Sequence, residues 1–448
     1  MRTAALLPAL LPLAAVQAID LNLDDAQSIR NAAATVAEKM VGWYQGKSFQ
    51  IPGLLPGPYY WWEAGAMFGS LIDYWYYTGD EQYNHLVSEA LLFQVGPDAN
   101  FMPPNQSKTL GNDDQAFWGI AAMSAAEFRF PDPPSDKPQW LALAQAVFNI
   151  QATRWHEEAC GGGLKWQIFT FNNGYNYKNA ISNGCFLNLA ARLAMYTKND
   201  TFSQWADRTW DWSQNIGMVA ENYFVYDGSD DLINCSELNH HQWSYNAGVY
   251  LNAAAAMWNV TAGGPDEAKW KTRVDGMLQG ILQVFFRDSI MVESMCEEVN
   301  NCNIDQQTFK AYLSRWMAAS VKVAPFIHDT VMPLLESSAM AAAKSCTGGR
   351  DGETCGTKWT TGEWDGGFGV GQQMNALEVI QSNLIDQVRG PVGNGTGATS
   401  TGDANAGLGD SGTYDPPDAI TTGDTAGAGI VTALVLIGLM GGSYWMVQ

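Results

Sequence analysis

The sequence predicts an all-α fold, an (α/α)6 toroid of alternating outer and inner helices. Between residues 19 and 389, apolar residues recur with helical spacing, and the alternation typical of strands is almost absent. The helical segments also alternate between an amphipathic and an apolar kind, with a recurrence of roughly 50 to 67 residues. Six helical hairpins of this kind would close into two concentric rings.

The predicted elements differ in how their apolar residues are distributed. Segments 24–43 and 266–286 carry charge on one face and should form the outer ring. Segments 116–128 and 246–258 are apolar nearly all round and rich in Gly and Ala, which places them inside. The twelve expected starts lie near Asp24, Ala64, Glu81, Asp114, Lys137, Ile181, Thr201, Asn246, Asp266, Thr308, Phe326 and Gly371.

The links that enter the inner helices are the candidate functional segments. Short links make consecutive helices antiparallel, so all inner helices should point the same way and begin on one face. The links that reach this face are rich in acids, amides and aromatic residues, at positions 59–63, 111–115, 175–179, 240–246, 303–307 and 363–366. We therefore expect one mouth of the toroid to hold the site.

Composition restricts the class of ligand. The formal net charge of -22 leaves no basic footprint for a nucleic acid, so no nucleic-acid partner is expected. The 18 Trp and 17 Tyr suit stacking on sugar rings, although each could equally fill the core. No spacing of His or Cys suggests a metal site, and no cofactor is expected.

The two ends predict export and membrane attachment. Residues 1–18 have a basic start, an apolar run and a small-residue cleavage site, the pattern of a signal peptide. Residues 390–429 read as a Gly/Ser/Thr-rich linker with a GPI attachment region, and residues 430–448 as the removed hydrophobic tail. A conventional membrane anchor is the alternative, but no basic flank follows the apolar run. The expected location is the outer face of the plasma membrane.

An oxidising compartment would pair most of the seven cysteines. Sequence proximity favours Cys296 with Cys302 and Cys346 with Cys355, and leaves the pairing among Cys160, Cys185 and Cys235 open. Sequons for N-glycosylation lie at Asn105, Asn199, Asn234, Asn259 and Asn394.

The adjacent acids Asp113 and Asp114 are the candidate catalytic pair. They follow Gly111 at the start of a predicted inner helix. Glycosidic cleavage needs one carboxyl group to protonate the leaving oxygen and another to attack the anomeric carbon or activate water. Two close acids would separate their pKa values, which supplies one donor and one carboxylate. Adjacency favours the short spacing of retaining enzymes.

Helix capping is the competing interpretation of the same segment. Asn112, Asp113 and Asp114 are ordinary residues at a helix N-terminus, and Asn112 with Gln115 resembles a capping box. Other polar and aromatic residues of the links are candidate substrate ligands, with capping, turn formation or packing as alternatives. They are Trp61, Trp62, Asn112, Gln115, Tyr177, Asn179, Asn183, Asp227, Trp243, Tyr245, Asn246, Trp364 and Asp365.

Several motifs together resemble glycoside hydrolase family 76, in its fungal GPI-anchored branch. They are GNDDQAFW from Gly111, WWEAG from Trp61, CGGGLKW from Cys160, YKNAISNG from Tyr177, WSYN from Trp243 and GEWDGG from Gly362. The resemblance implies the (α/α)6 fold and retaining action on α-1,6-linked mannose. It implies Asp113 as nucleophile, Asp114 as acid/base and Asp227 as an acid of the substrate cleft.

For the fungal branch, the resemblance implies an enzyme that cuts α-1,6-mannan or the mannose core of a GPI glycan. It also implies transfer of the attached protein to wall β-glucan as acceptor, and a monomer is expected. A non-catalytic mannan-binding protein with the same cleft is the alternative. A helical-toroid polysaccharide lyase would need basic residues, and the links carry few besides Lys178.

Overall fold

The computed structural model describes residues 19–44, 51–106, 108–409 and 422–447. They belong to two compact units that divide after Gly409. The predicted signal peptide, residues 1–18, and part of the predicted attachment region, residues 410–421, lie outside the described residues.

Twelve helices among the described residues of the first unit form the predicted double ring. They are α1 (Ala26–Gly42), α2 (Trp61–Thr78), α3 (Asn84–Phe93), α4 (Asn112–Phe128), α5 (Trp140–Thr153), α6 (Ala180–Thr197), α7 (Asp200–Asn215), α8 (Ser244–Val260), α9 (Glu267–Phe285), α10 (Phe309–Val323), α11 (His328–Ser345) and α12 (Val370–Gln381). Each even-numbered helix packs against the next, and α12 packs back against α2. The odd-numbered helices lie outside them, which confirms the (α/α)6 toroid.

Small residues bring the helices into close contact, as their abundance in the inner segments predicts. A Cβ added at Gly184 of α6 would lie 2.5 Å from Val249 Cγ1 of α8. At Gly119 of α4 it would lie 3.0 Å from the Val147 side chain of α5. These glycines are buried where a larger side chain would push neighbouring helices apart.

Three short antiparallel ribbons lie in the described parts of the links. Strands β1 (Tyr177–Asn179) and β2 (Gly228–Asp230) pair with Tyr177 opposite Asp230 and Asn179 opposite Gly228. Strand β3 (Phe286–Arg287) pairs with β4 (Ile290–Met291), and β5 (Cys346–Gly348) with β6 (Thr354–Cys355). Segments of two or three residues are too short to give an alternating pattern, so the sequence does not predict them.

Buried ion pairs join the inner helices to one another. Arg192 of α6 bonds Glu127 of α4 at 2.6 Å. Arg315 of α10 bonds both Asp73 of α2 and Glu378 of α12, each at 2.6 Å. Because α2 and α12 are the first and last inner helices, Arg315 bridges the point where the ring closes.

The compact unit extends past the boundary at residue 389 that composition predicts. Residues 391–409, the C-terminal strap, lie along α5. Val392 N–H donates to Glu127 O, Leu141 N–H donates to Ser400 Oγ, and Asn100 Nδ2 donates to Gly407 O. The strap therefore belongs to the folded unit even though its composition resembles a linker.

The second unit contains one described helix, α13 (Thr422–Val447). Its described large apolar side chains, from Ile430 to Met440, are exposed within that unit. Across the described ranges, no helix is both long enough and apolar enough to span a membrane.

Disulfides join Cys296 to Cys302 and Cys346 to Cys355, the two pairs that sequence proximity favours. A third joins Cys160 to Cys235 across 75 residues, and Cys185 is unbonded and buried in α6. The five sequon asparagines are all exposed, and their glycosylation stays a prediction.

Removing the long-range disulfide should have a large effect on stability. Replacing Cys160 and Cys235 by alanine frees a 75-residue loop in the unfolded chain, so we expect a loss of about 2–5 kcal/mol in urea unfolding. Cys185→Ala, which breaks no bond, is the matched control and should cost about 1 kcal/mol. Equal urea midpoints for native protein and double variant would contradict the prediction.

Candidate active site

The two candidate catalytic acids lie in the first turn of α4. Gly111 precedes the helix with an extended backbone, φ -96° and ψ 169°. The Asp113 side chain is buried and that of Asp114 is partly buried. The helix therefore begins at the acids, where the peptide N–H groups are not used by the helix itself.

Each carboxylate accepts hydrogen bonds from the surrounding fold. Asp113 Oδ1 accepts from Asp114 N–H at 3.0 Å, and Asp113 Oδ2 accepts from Asn179 Nδ2 at 3.3 Å. Asp114 Oδ2 accepts from Gly111 N–H at 2.6 Å. The cap acceptor of α4 is thus Asp114, which corrects the expectation that Asn112 and Gln115 form the capping box.

Gly111 sets how closely the acids approach each other. A Cβ at this position would lie 2.4 Å from Asp113 Oδ1 and 2.6 Å from Asp114 Oδ2. These two oxygens are consequently within about 5 Å of each other, close to the spacing of retaining carboxyl pairs. Any side chain at residue 111 would occupy the space between them.

Burial changes the protonation of the pair. It raises the pKa of Asp113 to about 7. Burial and then the charge of Asp113 raise the pKa of Asp114 well above its ordinary value. Asp113 ionises first, so the pair holds one carboxylate and one proton donor over a range of pH.

Asp113 and Asp114 line a cleft of about 620 Å³ at the N-terminal ends of the inner helices. Eight of the predicted site residues line it: Trp62, Asp113, Asp114, Tyr177, Asn179, Asp227, Trp243 and Tyr245. They come from links that enter four different inner helices, α2, α4, α6 and α8. The expectation of a single functional mouth agrees with this placement.

Asp227 forms one wall of the cleft. Its Oδ2 accepts from Tyr177 Oη at 2.7 Å and from Asn239 Nδ2 at 3.2 Å. The ribbon of β1 and β2 holds these segments together, because Asp227 directly precedes β2 and Tyr177 begins β1. Burial raises the pKa of Asp227.

Four predicted site residues lie behind the residues that line the cleft, and their side chains form hydrogen bonds with other parts of the fold. Trp61 Nε1 donates to Gln94 Oε1 at 2.9 Å, and Asn112 Nδ2 donates to Lys165 O at 2.8 Å. Gln115 Nε2 donates to Asn100 O at 2.7 Å. Asn183 donates to Leu164 O and accepts from Leu164 N–H. Their polar groups position the links instead of facing the cleft.

Three others also lie outside the cleft lining. Asn246 is fully buried in α8. Trp364 Nε1 donates to Gly367 O, and Asp365 accepts the N–H groups of Thr357, Lys358 and Gly367. The acid and tryptophan of that link therefore shape its turn.

Asp305 is the main cleft residue that the prediction omitted. Its Oδ1 accepts from Trp62 Nε1 at 3.0 Å, and its charge raises the pKa values of both Asp113 and Asp114. Asp305 lies in the link that enters the inner helix α10. Because links that enter inner helices are expected to reach the mouth of the toroid, the same argument predicts Asp305 as a cleft residue. The further lining residues are Tyr60, Lys108, Thr109, Phe117, Trp166, Gln167, Asn172, Asn173, Asn303, Gln306 and Phe309.

A toroid of paired helices with two close carboxyl groups and aromatic walls in one mouth defines a carbohydrate-active enzyme of the (α/α)6 class. The model of glycosyl hydrolase family 76 matches residues 28–395. The chain belongs to this family.

Fungal relatives match nearly the whole chain. It is 44% identical to the mannan endo-1,6-alpha-mannosidase DCW1 of Candida glabrata, over 100% of both chains. It is 44% identical to the mannan endo-1,6-alpha-mannosidase DFG5 of Saccharomyces cerevisiae, over 96% of this chain and 95% of the relative.

Solved structures share the fold. Dfg5 from Chaetomium thermophilum, in complex with glucosamine, is 46% identical, with a TM-score of 0.83 over 87% of this chain and 98% of that chain. An inactive variant of the α-1,6-mannanase GH76A of Salegentibacter sp. HEL1_6, in complex with α-1,6-mannotriose, matches with a TM-score of 0.63 at 18% identity. That match covers 80% of this chain and 99% of the other, and indicates the fold alone.

Proposed function

We propose that this protein is a retaining mannan endo-1,6-α-mannosidase in which Asp113 is the nucleophile and Asp114 the acid/base. The observation that carries the proposal is the placement of both carboxyl groups around Gly111, at the floor of an aromatic-walled cleft. Asp113 Oδ1 and Asp114 Oδ2 lie within about 5 Å of each other, which favours the short carboxyl spacing of a retaining mechanism over the wider spacing of an inverting one.

The protonation order supports the two proposed roles. Asp113 has the lower pKa of the pair and is held by two N–H donors, so it is the carboxylate that attacks the anomeric carbon. Asp114 keeps its proton longer. Its Oδ2 accepts from Gly111 N–H, which leaves Oδ1 to protonate the leaving oxygen. After the mannosyl group is bound to Asp113, Asp114 removes a proton from the incoming hydroxyl.

Relatives support the substrate class. The names of the fungal relatives specify mannan and the α-1,6 linkage. The Salegentibacter enzyme is seen with α-1,6-mannotriose in an inactive variant in which two consecutive aspartates are replaced by asparagine. The consecutive pair in this chain is Asp113 and Asp114.

We extend the proposal to the GPI-glycan core as donor and wall β-glucan as acceptor. Two observations support this extension. The Dfg5 of Chaetomium thermophilum binds glucosamine, an amino sugar, in its crystal structure. The signal-peptide and tail patterns of this sequence favour export and a GPI anchor. In this reading the incoming hydroxyl comes from a glucan, and the protein cross-links GPI proteins to the wall at the outer face of the plasma membrane.

A donor and acceptor assay tests these statements separately. The full chain is incubated with an α-1,6-mannoside donor and a labelled β-glucan oligosaccharide. NMR of the first product should give α-configured mannose, and mass spectrometry should give labelled transfer product. A β-configured product would exclude retention, and label confined to free acceptor would remove the transfer claim. Binding without cleavage would favour the non-catalytic alternative.

The raised pKa values predict a bell-shaped pH profile for kcat/KM. Activity requires Asp113 ionised and Asp114 protonated. It should rise as pH increases towards the raised pKa of Asp113, about 7, and fall at higher pH as Asp114 ionises. Initial rates between pH 4 and 10 measure both limbs. An acidic limb at the pKa of an ordinary exposed aspartate, about 4, would contradict the prediction.

A further inference from the structure

A network of polar side chains lies behind the first turn of α4, on the side away from the cleft. Asn112 and Gln115 are both buried and three residues apart, so they share one face of the helix, with the two acids between them in the sequence. Asn112 Nδ2 donates to Lys165 O at 2.8 Å, and Gln115 Nε2 donates to Asn100 O at 2.7 Å. The two amide nitrogens thus bind neighbouring links, and the two amide oxygens serve as acceptors.

Arg154 supplies a donor for both of these oxygens. It directly follows α5, and its Nη1 group donates to Asn112 Oδ1 and to Gln115 Oε1, each at 2.8 Å. Gln151, in the last turn of α5, donates from its Nε2 to Asn112 O at 2.7 Å and to Gln115 Oε1 at 3.3 Å. The end of an outer helix therefore holds the first turn of α4 on both sides of the catalytic pair.

The segment that contacts Gln115 has an unusual backbone conformation. Ala99 and Phe101 are left-handed, with φ of 49° and 56°, which is unfavourable for residues other than glycine. Such conformations persist where surrounding contacts fix them, and they are frequent at functional sites. Asn100, between the two, donates from its Nδ2 to Gly407 O of the C-terminal strap at 3.0 Å. The partner of Gln115 is therefore fixed by contacts that do not involve α4.

The positions of the catalytic acids depend on this turn. In the described part of the chain, the hydrogen bond from Asn179 Nδ2 to Asp113 Oδ2, at 3.3 Å, reaches the pair from another link. The bonds from Asp114 N–H to Asp113 and from Gly111 N–H to Asp114 come from the turn itself. The ends of helices fray more easily than their interiors. A displacement of the turn would consequently move both carboxyl groups.

We propose that Arg154 is a positioning residue for the catalytic pair: it holds Asn112 and Gln115 and so fixes the distance between Asp113 and Asp114. This inference rests on the roles of the two acids in the proposed function. Arg154 is not among the described residues that line the cleft, so it acts through the turn and not on the sugar. Because a misplacement of reacting groups by about 1 Å lowers the rate about 100-fold, Arg154 should affect kcat much more than KM.

Steady-state kinetics of Arg154→Ala test the proposal, with Arg273→Ala as the control. The Arg273 side chain, in the outer helix α9, is 8% exposed, and its Nη2 donates to Asp211 Oδ1 at 2.6 Å. On a soluble α-1,6-mannoside, Arg154→Ala should lower kcat about 100-fold and change KM by less than about twofold. Arg273→Ala should lower the urea midpoint and leave both constants unchanged. A kcat of Arg154→Ala close to that of native protein, or a loss confined to KM, would overturn the proposal.

Restoring the donor distinguishes positioning from a general loss of structure. Arg154→Lys keeps a cation that can donate to both oxygens, so its kcat should fall by less than about tenfold. Guanidinium chloride, well below denaturing concentrations, should raise the kcat of Arg154→Ala by at least about tenfold and leave that of Arg273→Ala unchanged. An Arg154→Lys variant as slow as Arg154→Ala, together with no recovery in guanidinium, would contradict the proposed role.

A crystal structure of Arg154→Ala separates this inference from the proposed function. The carboxyl oxygens of Asp113 and Asp114 should move by about 1 Å relative to each other, and an unchanged separation would overturn the inference. If native protein did not cleave the mannoside, the proposed function would be rejected, and the crystal structure would still decide the role of Arg154. Should Arg154→Ala fail to fold, Gln115→Met removes one of the two acceptors and should lower kcat about tenfold at unchanged KM. Native kcat in that variant would overturn the inference.

Discussion

Replacing Asp113 or Asp114 by asparagine is expected to lower kcat on an α-1,6-mannoside by about 10³-fold or more. Asp113→Asn removes the carboxylate that attacks carbon, and Asp114→Asn removes the proton donor. Because both act in one covalent step, the double variant should be little slower than either single variant. Single-turnover kinetics with a soluble mannoside measure the effect.

Glu63→Gln is the matched control for this prediction. Glu63 occupies in α2 the place that Asp114 has in α4, since its Oε2 accepts from Tyr60 N–H at 2.6 Å. It is fully buried and does not line the cleft. Glutamine and asparagine keep a cap acceptor, so both helices should fold. If Asp114→Asn kept as much activity as Glu63→Gln, Asp114 would be only a helix cap.

Gly111→Ala is expected to lower kcat about 100-fold, because misplacement of reacting groups by about 1 Å is enough for such a loss. The backbone angles of Gly111 are open to alanine. The new methyl group would, however, lie 2.4 Å from Asp113 Oδ1 and 2.6 Å from Asp114 Oδ2. The carboxyl groups must move apart, and stability should fall by about 1–3 kcal/mol.

Gly42→Ala provides the comparison, because nothing lies within 4 Å of a Cβ at the end of α1. It should leave both activity and urea midpoint unchanged. Full activity in Gly111→Ala would mean that the acids tolerate a wider separation, and the retaining assignment would lose its geometric support. Steady-state kinetics and urea unfolding on both variants separate the two effects.

The ring could be predicted because the inner helices differ from the outer ones along their whole length. An inner helix contacts protein on every side, so its polar positions are few and its small residues frequent, as in α4 and α8. The common direction of the inner helices then placed Trp62, Asp113, Tyr177 and Trp243 around one mouth. The local sequence pattern and the direction of the chain are therefore sufficient to predict the position of these residues in the mouth of the toroid.

The direction of a side chain within a link could not be predicted. Gln115 and Asn183 lie within one or two turns of cleft residues, yet their amides face link backbones. Asp305 faces the cleft because Trp62, distant in sequence, donates to it. Composition predicts a linker for the strap, because the strap is held mainly through backbone groups and small polar side chains, which also occur in flexible segments.

The bridge made by Arg315 affects how the chain can fold as it is synthesised. Asp73 emerges from the ribosome early, its cation Arg315 much later, and Glu378 near the end. Burying an unpaired acid in an apolar environment is unfavourable. The first helical hairpins therefore cannot adopt their native arrangement in the ring until Arg315 has been synthesised. We expect nascent chains that stop before α12 to remain open arcs, and ring closure to be a late, single step.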